Sequence, residues 1–468
     1  MYQEKDGLLE RSWKLRDAGF QYRVSNKKWT EITWQERREQ RFEKWLNPPG
    51  IAFKDRDAED NYRAKATRLI KAIKLEEPDR VPCQIPPGSF PAYYAGYDLK
   101  AVTYDLEKMK DAYLKFALDF DTDSAGGAGF AFPGKAYDIL GYNLYKWPGH
   151  GLDDHVSMIQ FVEDKYMKAD EYDTFINNPA DFILRCFLPR TWNAFAPLAK
   201  LSSLSSLHGV THQILRAART PDFQNLFKAI EKANKELEEW ESVVEECDRL
   251  TQEAGFPNGG GGLALAPFDT VADLLRGTRG TVEDMYRQPE KLLDAIERII
   301  PLTLQSVKDM AEFAVCPLVF IPMHKGDDSF MSDKQFEKFY WPSFRKLLLG
   351  IIEEGLVPFM VVDGTYNRRL EYIKDLPRGS VIWIFEKTDM ALAKKVLDNH
   401  ACIGGNVTGS LVCTETPDEV KKYCRWLIDT CGPGGGYILS MGVSVDRANP
   451  DNFHAMVQTA KEYGVYKH

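Results

Sequence analysis

Two hydrophobic periodicities alternate along this chain. From Arg80 onward, short apolar runs that end in Gly, Asp or Asn are separated by longer stretches in which apolar residues recur every three or four positions. That alternation predicts parallel βα units. The runs that read as strands are VPCQI (81–85), DTDSAG (121–126), GLALAPF (262–268), PLVFIPM (317–323), VPFMVVDG (357–364), SVIWIFE (380–386), ACIGGNV (401–407) and GYILSMG (436–442). Eight parallel strands with intervening helices is the number that closes an α/β barrel of the (β/α)8, or TIM, type. Residues 1–60 are polar and helical in pattern and read as an N-terminal extension, which leaves 61–468 for the barrel. Residues 130–255 lack the alternation and read as a helical insertion between early strands. An insertion of that length is a reasonable lid over the barrel mouth. Its last part, DFQNLFKAIEKANKELEEWESVVEECDRLTQEAG, has apolar residues at helical spacing and ends at FPNGGGG. The glycine run has no Lys-Ser/Thr after it and precedes a strand, so a helix-to-strand turn is expected there rather than a phosphate cradle.

Composition narrows the partners. Hydrophobic residues make up 44% and charged residues 28% of the 468, as in a globular protein with a large core. The formal net charge of −9 leaves no basic face for a phosphate backbone, so nucleic acid is not an expected partner. The first residues have no apolar h-region and no run of about 18 apolar residues occurs, which predicts a cytoplasmic protein without a membrane span. The eight cysteines have neither a CxxC pair nor a regular spacing, so reduced thiols are expected.

Barrel enzymes place their chemistry at strand C-termini, and three chemistry-bearing residues fall there. Asp363 closes FMVVDG, Glu386 closes VIWIFE, and His324 follows VFIPM. The alternative role for each carboxylate is capping the helix that follows, which is common for Asp and less so for Glu, and a lone His is often structural. Together the three make an imidazole and two carboxylates converging from different strands, a set suited to proton transfer or to holding zinc. Cys83, Gln84, Phe268, Asp269, Tyr366 and Asn406 also lie near strand ends and are candidates for lining a pocket. Glu371 reads as a solvated helix position. His208 and His212 are four apart but lack the Glu of a metal-binding HExxH helix.

Four blocks in order give the chain a family resemblance: LALAPFDTVADLLRG followed by MYRQPEKLLDAI, then MSDKQFEKFYWPSFRKLLLGI, CIGGNVTGSLVCTETPDEVKKYC, and GGGYILSMGVSVDRANPDNFHAMVQTAKEYG. They resemble the uroporphyrinogen decarboxylase superfamily, which includes the decarboxylase and cobamide-dependent methyltransferases. The resemblance implies a (β/α)8 barrel, often paired as a homodimer. Two departures qualify it. The decarboxylase begins its barrel with an Arg-bearing motif that clamps substrate carboxylates, and here that stretch reads CQIPPGSFPAYYAG. The thiol-activating methyltransferases carry zinc-binding His-x-Cys and Cys positions where this chain has Val361-Val362-Asp363 and Met441-Gly442-Val443. Met441 therefore joins the candidate pocket residues. The expectation is methyl transfer between a small substrate and the cobalamin-type corrinoid of a partner protein. A methoxylated aromatic undergoing O-demethylation is the expected methyl donor, because carboxylates and His, with or without zinc, suit a departing oxygen better than sulfur. The alternative is a decarboxylase of another carboxylated substrate.

Overall fold

The computed structural model describes residues 29–467 apart from positions 126, 156, 206 and 207. The first 28 residues of the expected extension therefore lie outside the described residues. Seven parallel strands form one curled sheet: β1 (Cys83–Gln84), β2 (Gly262–Leu263), β3 (Leu318–Met323), β4 (Val357–Val362), β5 (Ile382–Phe385), β6 (Cys402–Gly405) and β7 (Tyr437–Ser440). Their order is β1-β7-β6-β5-β4-β3-β2. This is the expected TIM-barrel-like α/β fold, with two strands changed in detail.

The run at 121–126 does not form a ladder, and its last residue, Gly126, is outside the described residues. Asp121 leaves the helix Leu106–Phe120 with a left-handed backbone, and only Ala125 bridges to Asn258. The segment nevertheless spans the gap between the sheet edges. The Asp123 N–H donates to the Cys83 carbonyl at 2.9 Å, the Ala125 N–H donates to Pro257 at 3.0 Å, and the Gly259 N–H donates back to Ala125 at 3.2 Å. What holds it is a side chain. The fully buried Asp123 carboxylate accepts from Arg80 at 2.8 and 2.9 Å, from the Cys83 N–H at 2.7 Å, and from Arg68. The run at 262–268 is also shorter than expected, because Pro267 has no N–H to give the ladder and instead opens a short helix, Pro267–Asp269.

Strand alternation divides the apolar residues into two cores. Val319, Ile321, Met360, Trp383, Ile403 and Leu439 face outward against the surrounding helices, where Leu347, Leu348 and Ile351 meet them. Leu318, Val357, Ile382, Cys402 and Ile438 face inward at the bottom of the barrel. There they meet Phe42 and Trp45 of α1 (Trp34–Leu46) and Leu69 and Ile73 of α2 (Arg56–Ile73). These two helices therefore close the lower end, and α2 runs through residue 60. A Thr33–Glu36 capping box starts α1 and the Asp55 side chain caps α2.

Between the early strands the chain forms a three-stranded sheet (145–148, 151–152 and 160–161), several short helices, and the 33-residue helix α3 (Pro221–Glu253). The C-terminal third of α3 packs Val243, Val244 and Cys247 against Met109, Ala112 and Tyr113. Lys110 pairs with Glu246 at 3.1 Å, and the Trp240 indole N–H donates to the Ala131 carbonyl at 3.2 Å. Among the described residues no helix is long and apolar enough to cross a membrane.

Candidate active site

The strand register places the candidate residues in one layer. Met323 pairs with Val362, Val362 with Phe385, and Phe385 with Gly405. The next residues on these four strands are His324, Asp363, Glu386 and Asn406. Each has the parity of the inward positions Pro322, Val361, Ile384 and Gly404. The sequence thus sets a polar row at the C-terminal mouth, directly above an apolar barrel interior.

Within this mouth is a cavity of about 510 Å³, in the size range of small-molecule sites. Its apolar walls include Phe320, Pro322, Phe359, Val361, Ile384 and Met441. Phe320, Pro322, Phe359 and Val361 are only half-buried, whereas their strand neighbours Ile321, Met323, Met360 and Val362 are buried. Gln84, Ser124, Asn258, Ser440 and Ser444 supply neutral polar groups. Two carboxylates complete the wall, Asp363 at the top of β4 and Asp248 on α3. Among the described residues, no Lys, Arg or His side chain lines it.

Part of the space comes from missing side chains. Gly259 and Gly260 belong to the wall, and a Cβ added at Gly260 would meet nothing within 4 Å. At Gly261 a Cβ would lie 1.8 Å from the Cys316 carbonyl oxygen, so the same run also lets the chain pass close beside β3. The glycines at the end of the insertion are thus both the expected turn and a bare stretch of cavity wall.

Of the expected site residues, Asp363, Gln84 and Met441 line this cavity. The Asp363 carboxyl is raised above its ordinary pKa by burial and by Glu386, while His324, Lys325 and Lys387 pull it back. His324 and Glu386 share its layer but have other partners. The His324 Nδ1 lies 2.7 Å from Asp273, and one Glu386 oxygen accepts the Gly364 N–H at 2.8 Å. Burial works against protonating His324, yet the Asp273 bond and the charges of Asp269 and Asp363 raise its pKa overall. Among the described residues no group of three His, Cys, Asp or Glu side chains is placed to hold a metal ion. The His324, Asp363 and Glu386 set expected as zinc ligands is therefore not assembled, since Asp273, in the helical turn Thr270–Leu275, and the Gly364 N–H engage two of its members. The donors present do not fit zinc.

The remaining candidates stand behind the wall. Asp269 is fully buried and accepts from the His324 N–H at 3.1 Å, the Lys325 N–H at 3.2 Å and the Tyr340 hydroxyl at 2.9 Å. Burial and the nearby Asp273 push its carboxyl up to about 6. It fixes the loop carrying His324 from beneath. Phe268 and Tyr366 are buried, and Phe268 packs on Tyr340 and Phe330. Asn406 donates to the Thr388 carbonyl at 3.0 Å and accepts from the Tyr423 hydroxyl at 2.8 Å, so it ties the loop after β6 to its neighbours. The Cys83 thiol is buried, which raises its pKa well above the ordinary value. Glu371, His208 and His212 are exposed, and Glu371 pairs with Lys374 at 2.9 Å.

Asp248 is the residue that sequence reasoning missed. It is one of many acids on a long charged helix, and nothing in the periodicity distinguishes it from the solvated ones. In the fold it is half-buried, and one oxygen accepts from the Asn258 amide at 3.3 Å. Burial pushes its carboxyl up to about 6, with the Asn258 bond opposing and Glu245 adding.

Comparisons with known proteins agree with this architecture. A methyltransferase from Methanosarcina mazei has a similar structure, with a TM-score of 0.54 at 15% identity over 85% of this chain and 98% of that one. At that identity the likeness speaks to the fold alone. No curated protein sequence matches the chain. The family model described as Uroporphyrinogen decarboxylase (URO-D) matches residues 209–463, more than half of the sequence. With the barrel, the cavity at its C-terminal mouth and this match, the chain belongs to the uroporphyrinogen decarboxylase family.

Proposed function

We propose that this enzyme moves a methyl group between a small substrate and the corrinoid of a separate partner protein, and that the substrate is a methoxylated aromatic. The observation that carries the reading is the cavity wall. A tetrapyrrole with several carboxylates needs cationic partners when it leaves water, and a cavity with two carboxylates and, among the described residues, no cation in its wall repels it. The segment where the decarboxylase has its Arg clamp supplies Gln84, Ile85, Pro86 and Pro87 to the wall, and among the described residues no other part of the wall replaces the missing charge. Decarboxylation of a polycarboxylate is disfavoured for that reason.

The two stretches where thiol-activating relatives carry zinc ligands contribute Val361, Asp363, Met441 and Val443 to the wall. Val361, Met441 and Val443 offer an aromatic ether an apolar surface and leave a thiolate without a metal partner. Phe320 and Phe359 add ring surface for an aromatic substrate. The corrinoid, held by its own protein at the mouth, supplies a cobalt that accepts or donates the methyl group.

The test is an anaerobic assay of the purified chain with cob(I)alamin and guaiacol, a neutral methoxyphenol, in the presence of a chelator. Formation of methylcobalamin that survives chelation is expected. Release of CO2 from uroporphyrinogen without cobalamin methylation would overturn the reading in favour of the decarboxylase.

A further inference from the structure

Breaking an aryl methyl ether leaves the electron pair of the C–O bond on oxygen. In this cavity the developing negative charge lies between apolar walls and two carboxylates. Among the described residues no cationic side chain lines the wall to balance it. Asn and Ser groups donate hydrogen bonds but bring no charge. Neutralisation must therefore come as a proton, and the titratable side chains of the wall are Asp363 and Asp248. This step rests on the methyl-transfer reading above.

The surroundings of the two acids differ. Asp363 is raised overall by burial and by Glu386, but it also has His324, Lys325 and Lys387 near enough to favour its ionised form. Asp248 has the carboxylate of Glu245 as its charged neighbour, which favours the protonated form. Its Oδ2 is engaged by the Asn258 amide at 3.3 Å. Its Oδ1 lies over Gly127, where an added Cβ would stand 3.2 Å from it. Gly127 lines the same cavity, so the absent side chain leaves room for that oxygen at the cavity surface. The helix is anchored in the two turns before this point by the Trp240–Ala131 hydrogen bond and the Lys110–Glu246 pair. A carboxyl group on so fixed a helix has a defined reach into the site.

We propose that Asp248, carried by the insertion helix α3, is the catalytic acid that protonates the oxygen leaving the methyl group. The C–O bond breaks as the methyl carbon bonds to the electron pair of a reduced corrinoid nucleophile on the partner. The oxygen keeps the C–O electron pair and takes the Asp248 proton, so the product departs as a neutral phenol. The Asp248 carboxylate regains its proton from water. Nothing is oxidised beyond the cobalt nucleophile that gains the methyl group.

The experiment compares wild type, Asp248→Asn and Asp363→Asn as full-length protein. Methylation of cob(I)alamin is followed with guaiacol, whose phenolate is a poor leaving group, and with 4-nitroanisole, whose phenolate leaves readily. Loss of a general acid predicts a drop of about 10²-fold on guaiacol and of less than about threefold on 4-nitroanisole in Asp248→Asn. The wild-type rate on guaiacol falls as pH rises through about 6, the value to which burial lifts Asp248, and the fall is absent in Asp248→Asn. Equal losses on both ethers, or a retained pH limb in the variant, would overturn the proposal. A second readout needs no corrinoid. Binding of 4-nitrophenol is followed by its visible absorbance at a pH where it is half ionised. Wild type and Asp363→Asn are expected to bind it as the phenol with loss of the phenolate band, and Asp248→Asn to retain more of that band. Identical spectra in all three would sink the role of Asp248. If no ether is demethylated by any of the proteins, the methyl-transfer reading fails, and the nitrophenol spectra still decide whether Asp248 governs the proton in this cavity.

Discussion

Asp123 and Asp248 are both acids at the margin of the barrel, but they live in opposite surroundings. Asp123 is fully buried where the barrel closes, and two guanidiniums and a backbone N–H saturate its carboxylate. Asp248 faces a cavity with one amide at 3.3 Å and, among the described residues, no cation in the wall. A paired buried charge is a fastening, whereas an unpaired one in a concave site is under tension that substrate chemistry can use. The contrast separates the two acids more clearly than burial alone would.

The largest effect expected from breaking this comparison is on the paired side. Asp123→Ala leaves Arg68 and Arg80 without their shared partner and frees the segment that spans the two sheet edges. Removing one member of such a buried set costs about 3–5 kcal/mol. Denaturant melts should show that loss as a lower midpoint. If the variant unfolds at the wild-type midpoint, Asp123 is not the fastening of the barrel seam.

On the unpaired side the sign reverses. Burial raises the folded pKa of Asp248 from 3.8 to about 6. The folded state therefore holds this proton more tightly than the unfolded chain does. The contribution to stability is most favourable below pH 3.8, declines as pH rises toward 6, and stays at its lowest level above that. Asp248→Asn removes the ionised form, so at pH 7.5 it should be more stable than wild type by up to roughly 3 kcal/mol. At pH 4 the gain should nearly vanish. A thermal melt at the two pH values checks this, and a variant that is less stable at pH 7.5 would put Asp248 with the fastenings. A gain in stability with a loss of activity is the expected mark of a functional acid.

The sequence carried the barrel and the polar row at its mouth, because strand alternation and strand ends are local properties. Asp363 could be found that way, as a residue of inward parity, two after Val361, at the end of an apolar run. The assumed meeting of Asp363 with His324 and Glu386 around zinc could not be checked from strand ends, since it depends on partners outside the strands such as Asp273 and the Gly364 N–H. Asp269 was placed in the pocket for the same reason and instead supports the loop from behind. The seam at 121–126 was read as a strand because its run ended in glycine, but its fastening is a side-chain network with Arg68, a residue from a helix far away in sequence. Asp248 was out of reach altogether. Whether an acid on a charged helix meets solvent or a cavity depends on how a 33-residue helix lies across the barrel, and that is tertiary information. The one usable signal nearby was the glycine run at 259–262, whose missing side chains enlarge the cavity beside it.

The smallest expected effect comes from the next residue on the same helix. Arg249 is about half exposed and pairs with Glu253 one turn on, at 2.7 Å. An exposed pair of that spacing contributes about 0.3–0.5 kcal/mol, so Arg249→Ala should move the melting midpoint only slightly. Its use is as a control on the comparison. Asp248 and Arg249 sit on the same backbone, so a change that acted by loosening α3 would appear in both variants. If Asp248→Asn alters the dependence on leaving group while Arg249→Ala leaves it as in wild type, the effect belongs to the carboxyl group in the cavity. If both alter it alike, the helix as a whole is being read, and the distinction between a fastened acid and a working one no longer rests on Asp248.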